Sequence, residues 1–231
     1  MFLIPFVIAI FAELSLVPPI QRWWRHWMQV RQTPVLPIDR VPDEGNIAIT
    51  GQTQPAHTPE YAPLSKTPCV YWRVVLREQQ GRRSSTTLSD RTSEHPFRLS
   101  DGEHGICIEP VRATLSLTGP GHHTWIMNDL AALEQLAQEG AVARRWQKTT
   151  WTTVSEVCIP VGEKVWVYGA VRTISKGKIV AAGATMPVLI SNRPPRQLIW
   201  LYGWQWMVAS VLLLALFLAT IFGAWWVYQV L

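Results

Sequence analysis

Cysteine is scarce in this chain: Cys69, Cys107 and Cys158 are the three present, and no two form a CxxC pair. That argues against a paired-cysteine zinc module and against a disulfide framework. Each thiol sits in an apolar, strand-like run, where a free cysteine packs as a small hydrophobe. Catalytic signatures are missing too: there is no phosphate-cradling GxxxxGK[ST], no HExxH and no GxSxG. Neither a metal nor another cofactor is expected. His122 and His123 are adjacent in a Gly-Pro-Gly loop, where neighbours chelate one ion poorly, and His57, His95 and His104 are dispersed.

Charge is absent from one long stretch. Residues 198–231, LIWLYGWQWMVASVLLLALFLATIFGAWWVYQVL, contain no Asp, Glu, Lys or Arg. A bilayer core needs ~20 apolar residues in helix, so this segment is expected to be a transmembrane helix. Trp200, Trp204 and Trp206 at one end and Trp225, Trp226 and Tyr228 at the other read as interfacial belts. The stretch between them, Met207 to Ala224, spans roughly 27 Å at helical rise. Ala215, Ala219 and Gly223 recur every fourth residue, a small-residue face that admits a second helix and makes a homo-oligomer one expectation.

The opening segment lacks a basic n-region and a cleavage site, so a first span over 1–20 is expected in place of a signal peptide. Pro5, Pro18 and Pro19 weaken it as a regular helix. Glu13 is an ionisable residue at membrane depth, with Gln205 and Ser210 of the other span at a comparable level. It reads either as polar glue between the spans or as a proton or ion site.

All 21 Lys and Arg residues lie between Arg22 and Arg196, with 15 of the 16 acids, so the middle of the chain is basic by +6. Cations flanking both spans place the central domain on the cytoplasmic side, and a bacterial inner membrane is the expected setting. A basic surface next to a lipid bilayer also suits anionic lipid. Nucleic acid is not expected. The YWR at 71–73 follows strand alternation, with a core residue beside a solvent-facing cation, and the RRW at 144–146 is too short to argue from.

The organisation expected is two transmembrane helices flanking a β-rich, antiparallel, barrel-like α+β soluble domain. Residues 21–45 read as a basic, Pro-rich juxtamembrane linker, 46–190 as the domain, 191–197 as a second linker and 198–231 as the closing span. Within the domain, Asn46–Gly51, Val70–Leu76, Ile106–Ile108, Ala113–Leu117, Val165–Val171 and Ile179–Ala182 carry strand composition. Gly177 suits the turn of a hairpin between the last two. Residues 78–95 are polar and Ser/Thr-rich, a long hairpin or loop. Apolar spacing over 125–139 predicts an inserted helix, with Gly140 as its C-cap.

Three segments in order resemble the GIDE, or beside-a-membrane, domain of membrane-anchored E3 ubiquitin ligases and their prokaryotic relatives. The first is YAPLSKTPCVYWRVVL, with Pro63, Leu64, Ser65, Cys69 and Tyr71. The second is PFRLSDGEHGICIEPVRA, with Phe97, Asp101, Gly105, Pro110 and Ala113. The third is EVCIPVGEKVWVYGAV, with Glu156, Pro160, Gly162 and Gly169. The likeness extends over about 45–189 and implies a β-rich domain held close to a bilayer. In the ligases activity resides in a RING that binds zinc, and this sequence has no cysteine after Cys158, so ubiquitin transfer is not carried over from the resemblance. What it implies instead is a non-enzymatic adaptor or scaffold whose partners are other membrane proteins, LemA-type coiled coils included. A RING-type transferase working with another chain is an alternative. So is a lipid or small-molecule sensor, for which Asp101, Glu156 and Arg73 are the candidate contacts.

Overall fold

The computed structural model describes residues 20–230 except 22, 81–83, 94, 112, 119–121, 128–151, 176 and 184–186. The chain divides into two compact units. One is Pro34–Arg193; the other joins Met1–Thr33 to Pro194–Leu231.

The Pro34–Arg193 unit is built from strands. In chain order these are β1 (Gly45–Pro55), β2 (Glu60–Tyr61), β3 (Pro68–Gln80), β4 (Ser84–Thr92), β5 (Phe97–Ser100) and β6 (Gly105–Ile108), then β7 (Thr114–Ser116), β8 (His122–Met127), β9 (Thr152–Pro160), β10 (Lys164–Ile174), β11 (Gly177–Ala181) and β12 (Leu189–Ser191). Five of them close on themselves in the order β1-β5-β6-β11-β10, because β10 also pairs with β1. Closure depends on the length of β1. Its first part pairs with β10 from Gly45↔Val171 to Gln52↔Lys164, and its last part pairs with β5 from Gln52↔Ser100 to Pro55↔Phe97. The β6–β11 pairing is parallel, and the other four around the ring are antiparallel. A closed ring leaves no unpaired strand edge within the barrel.

Alternation fills the interior. Val165, Val167 and Val171 of β10 face Ile47 and Ile49 of β1, Phe97 and Leu99 of β5, and Ile106 and Ile108 of β6, all within one buried cluster. Fully burying side chains of this size contributes roughly 1.5–3 kcal/mol each. The hairpin between β10 and β11 turns at Gly177, whose φ of +121° is open to glycine and strained for other residues.

The second sheet is centred on β3, which pairs with β9 on one side and with β2 and β4 on the other, while β8 pairs with β9. A bulge between Cys69 and Tyr71 sets two residues against one on β9. Its effect is to reverse facing. Simple alternation puts Cys69, Tyr71 and Arg73 on one side; in the structure Tyr71 joins the barrel cluster, whereas Cys69 packs with Cys158, Ala62 and Trp72.

The other unit contains two described helices, α1 over residues 23–32 and α2 (Pro195–Val230). Pro195 opens α2 at a position where its missing N–H costs nothing. The helices meet through aromatic rings. Trp206 lies 4.9 Å from Trp24, edge to face, and 5.8 Å from Trp27, and Tyr202 lies 5.4 Å from His26.

Several expectations need correction. Two flanking transmembrane helices are not found: among the described residues one helix is long and apolar enough to cross a membrane, over Pro195–Gly223. Residues 1–19, which held the expected first span and Glu13, lie outside the described residues. The physical difficulty was visible in Pro5, Pro18, Pro19 and Glu13, which interrupt the apolar run. Nor is 21–45 an extended linker. Helix α1 runs to residue 32, and the following residues then pack onto the barrel. Leu36 N–H donates to Ala48 O at 2.8 Å, Ala48 N–H donates to Pro34 O at 3.0 Å, and Ile38 and Val41 are buried in the barrel cluster.

The start of the expected inserted helix is strand. Residues 122–127, which overlap the predicted helix at 125–139, form β8 and pair with β9 from His122↔Val157 to Met127↔Thr152. Residues 128–139 lie outside the described residues, as does the RRW at 144–146. The i, i+3 spacing of Ile126 and its successors is outweighed at the start by Thr124, Trp125 and Ile126, residues that suit a pleated surface. His122 and His123 are therefore strand residues and not loop residues.

Candidate functional site

Glu156 is the most deeply buried acid among the described residues. It lies on β9 opposite Val74 and is fully buried. Both of its oxygens are used by the turn after β2. Leu64 N–H donates to Oε2 at 2.6 Å and Ser65 N–H donates to Oε1 at 3.1 Å. The turn is tight, with Lys66 in the left-handed region at φ +55° and Ala62 N–H bonded to Thr67 O at 2.9 Å. Two segments far apart in sequence, PLS at 63–65 and the acid at 156, are thus halves of one latch.

Two of the three thiols, Cys69 and Cys158, lie near it. Burial, followed by the nearby Cys158 and acid charges, pushes Cys69 up to about 12. Burial and then the Glu156 and Glu163 charges push Cys158 to about 11. Cys107, on β6, is also raised, mainly by burial. At neutral pH these groups are thiols, not the thiolates that nucleophilic chemistry requires.

A cavity of about 250 Å³ opens where β1 ends, β2 and β3 begin and β5 begins. Pro55, Val70, Pro96 and Phe97 supply apolar wall, and His57, Glu60 and His95 supply the polar groups. The Glu60 carboxylate is held from two sides. Trp72 Nε1–H donates to Oε2 at 2.9 Å, and His95 Nδ1 lies 2.6 Å from Oε1. His57 and His95 thus converge, as their sequence positions left open, while His104 lies in the β5–β6 turn. Among the described residues no group of three or more His, Cys, Asp and Glu is placed to hold a metal ion.

The three polar candidates from the sequence are not brought together. Arg73 forms a two-pronged ion pair with Asp90 of β4, Nε to Oδ1 at 2.8 Å and one terminal nitrogen to Oδ2 at 2.6 Å. It pairs in register with Val157, so strand alternation sets its side chain on the face opposite Glu156. Asp101 sits in the turn between β5 and β6. Its Oδ1 accepts from His104 N–H at 2.7 Å and from Glu103 N–H at 3.1 Å. The His104 amide bond, ahead of the other contributions, holds the Asp101 carboxyl below its ordinary value. A depressed carboxyl stabilises the turn above its unfolded-state pKa, and that support is lost as pH falls through the folded-state value, in the range below about pH 4. Amide exchange at Glu103 and His104 should therefore accelerate below about pH 4 relative to other turns. Asp101→Asn should remove that acid response; a response that persists in the variant would assign it to another group.

The remaining motif residues fall in the core and at turns. Phe97 is buried in the barrel cluster, and Gly105 begins β6. Pro110 O accepts from Ala113 N–H at 2.9 Å. Gly162, at φ +82°, turns β9 into β10 and donates its N–H to Thr53 O at 2.8 Å. Gly169 lies in β10, where a Cβ would sit 2.7 Å from Val180 Cγ1. On α2, Ser210 donates to Trp206 O of its own helix at 2.7 Å, Gln205 is half-buried, and Ala215, Ala219 and Gly223 are exposed. Sequence reasoning singled out neither Glu60 nor Trp72 as a pair. The signal was faint, an acid in a short polar stretch and an indole ten or more residues on.

No curated protein and no solved structure matches this chain. The GIDE family model, described as E3 ubiquitin ligase, matches residues 73–223. That range begins at Arg73, so it leaves out the PLS turn, and it takes in Glu156, the barrel strands β5, β6, β10 and β11, and most of α2. The acid that latches the turn falls inside the match, and the apolar helix that follows the β unit falls inside it as well. The match covers well over half of the chain, and the chain belongs to the GIDE family.

Proposed function

We propose that this protein is a membrane-anchored, non-enzymatic adaptor that presents its GIDE domain to other membrane proteins. The observation that carries the reading is the Glu156 latch, which commits a buried carboxylate and the PLS turn to holding the domain together. The thiols speak against one route to ubiquitin transfer, through a cysteine of this chain. A cysteine that carries ubiquitin as a thioester must ionise, and burial holds Cys69, Cys107 and Cys158 in the opposite state. The anchor supports the adaptor reading. The apolar helix α2 follows β12 in the chain after residues 192–194. The flanking cations favour a cytoplasmic domain, and the family resemblance favours membrane-protein partners, with LemA-type coiled coils the first to test.

The experiment has two parts. Full-length protein in nanodiscs is mixed with ubiquitin, activating enzyme, a panel of conjugating enzymes and ATP, and discharge of the charged conjugating enzymes is followed. No acceleration is expected. In parallel, mild-detergent capture from native membranes should return a membrane protein at a fixed molar ratio. Accelerated discharge would restore the transferase reading implied by the family description, and capture without a stoichiometric partner would defeat the adaptor reading.

A further inference from the structure

The Glu60 cavity takes no part in the latch, and its chemistry is specific enough to name an occupant. Its volume, about 250 Å³, falls short of the ~300–1,000 Å³ typical of sites for whole drug-sized ligands. One long side chain is the natural fit. The wall formed by Pro55, Val70, Pro96 and Phe97 suits an aliphatic stem, and the lining contains one carboxylate and no lysine or arginine.

The carboxylate is oriented and incompletely used. An ionised carboxylate offers about four lone-pair positions; Trp72 takes one on Oε2 and His95 faces one on Oε1. Trp72 packs against the Cys69–Cys158 cluster, so the indole gives Glu60 a fixed partner. His95 is different. Its side chain is 78% exposed against 25% for Glu60, so it can swing into solvent without unpacking anything. Exposed pairs of this kind are weak, and a stronger donor can displace the imidazole. An ammonium or guanidinium is such a donor, because it brings a full positive charge to the carboxylate and, in the guanidinium, a fork that can engage both oxygens.

We propose that this cavity is a subsite for a basic side chain, lysine or arginine, of a protein partner: its stem lies along the Pro55–Phe97 wall and its cation replaces His95 on Glu60. The proposal rests on the adaptor reading only in taking a protein as the source of the cation.

The test uses full-length protein in nanodiscs, labelled with 15N at tryptophan. The indole N–H signal of Trp72, assigned by its loss in Trp72→Phe, is followed during titration with N-acetyl-lysine methylamide and N-acetyl-arginine methylamide. Saturable shifts are expected, at least tenfold weaker with the uncharged N-acetyl-norleucine methylamide and at least tenfold weaker in Glu60→Gln. His95→Ala, an exposed change that leaves the fold alone, should tighten binding severalfold by removing the competitor. Equal binding of the norleucine probe, indifference to Glu60→Gln, or weakened binding in His95→Ala would overturn the assignment. If the probes bind as expected but Glu60→Gln captures the membrane partner at the wild-type level, the cation comes from a free amine and the protein source is overturned. A chain that captures no partner at all defeats the adaptor reading, whereas the titration decides the chemistry of the cavity by itself.

Discussion

Glu156→Ala should lower the unfolding free energy of the full chain by about 2–4 kcal/mol. The substitution leaves the Leu64 and Ser65 amides without their acceptor. An orphaned donor costs about 1–3 kcal/mol when buried, and bonds to a charged acceptor lie at the upper end of the range. The two costs do not add fully, because Leu64 and Ser65 are half-buried and water can reach them once the turn opens. Glu156→Gln should cost less, about 1–3 kcal/mol, since one amide oxygen can keep one bond while the NH2 group faces the second donor. Denaturant midpoints of the nanodisc-embedded protein measure the global effect. Amide exchange at Leu64 and Ser65 measures the local one, and it should rise more than exchange at β10. An alanine variant within about 0.5 kcal/mol of wild type, the range of an ordinary surface change, would show that the latch does not hold the fold.

The second large effect concerns the place where β1 leaves β10 for β5. A Cβ at Gly51 would lie 2.6 Å from the backbone oxygen of Ser100 and 3.0 Å from Leu99 Cγ. Backbone cannot yield there without parting β1 from β5 and opening the barrel. Gly51→Ala should therefore destabilise by about 3 kcal/mol, the upper end for overpacking. Gly105 is the control. An added Cβ there meets only the guanidinium end of Arg98, which can swing aside, so Gly105→Ala should stay within about 0.5 kcal/mol. Gly169→Ala should fall between them, since it meets Val180 Cγ1 at 2.7 Å and Ala181 O at 3.1 Å. Thermal or chemical denaturation of the three variants ranks them. A Gly51→Ala protein as stable as Gly105→Ala would remove the close approach as a determinant of closure.

These glycines show how unevenly function and architecture can be read from sequence. Gly105 and Gly169 belong to the family motifs, whereas Gly51 was only the end of an apolar run. The distinction lies in what each hydrogen faces, and for Gly51 that is a neighbouring strand some fifty residues away in the chain. Arg73 is a similar case. Its type and strand position left open a ligand contact, but the neighbouring β4 supplies Asp90 and occupies its fork. The bulge at Cys69–Tyr71 likewise escaped period-two reasoning, since one extra residue reverses the facing of everything before it.

By itself the sequence determined what depends on near neighbours and on composition: the uncharged closing helix, the apolar runs of β1, β3, β6 and β10, and the β10–β11 hairpin at Gly177. Hydropathy, β-propensity and turn chemistry act over a few residues, and a reader of the chain can sum them. Only the tertiary structure decided how many strands close the barrel, that residues 34–41 are part of its wall, that PLS and Glu156 form one latch, and that Glu60, Trp72 and His95 meet at a cavity. Each of these is a contact between segments whose separation in sequence carries no local signal, fixed by which backbone and side-chain donors find acceptors once the apolar faces have been buried.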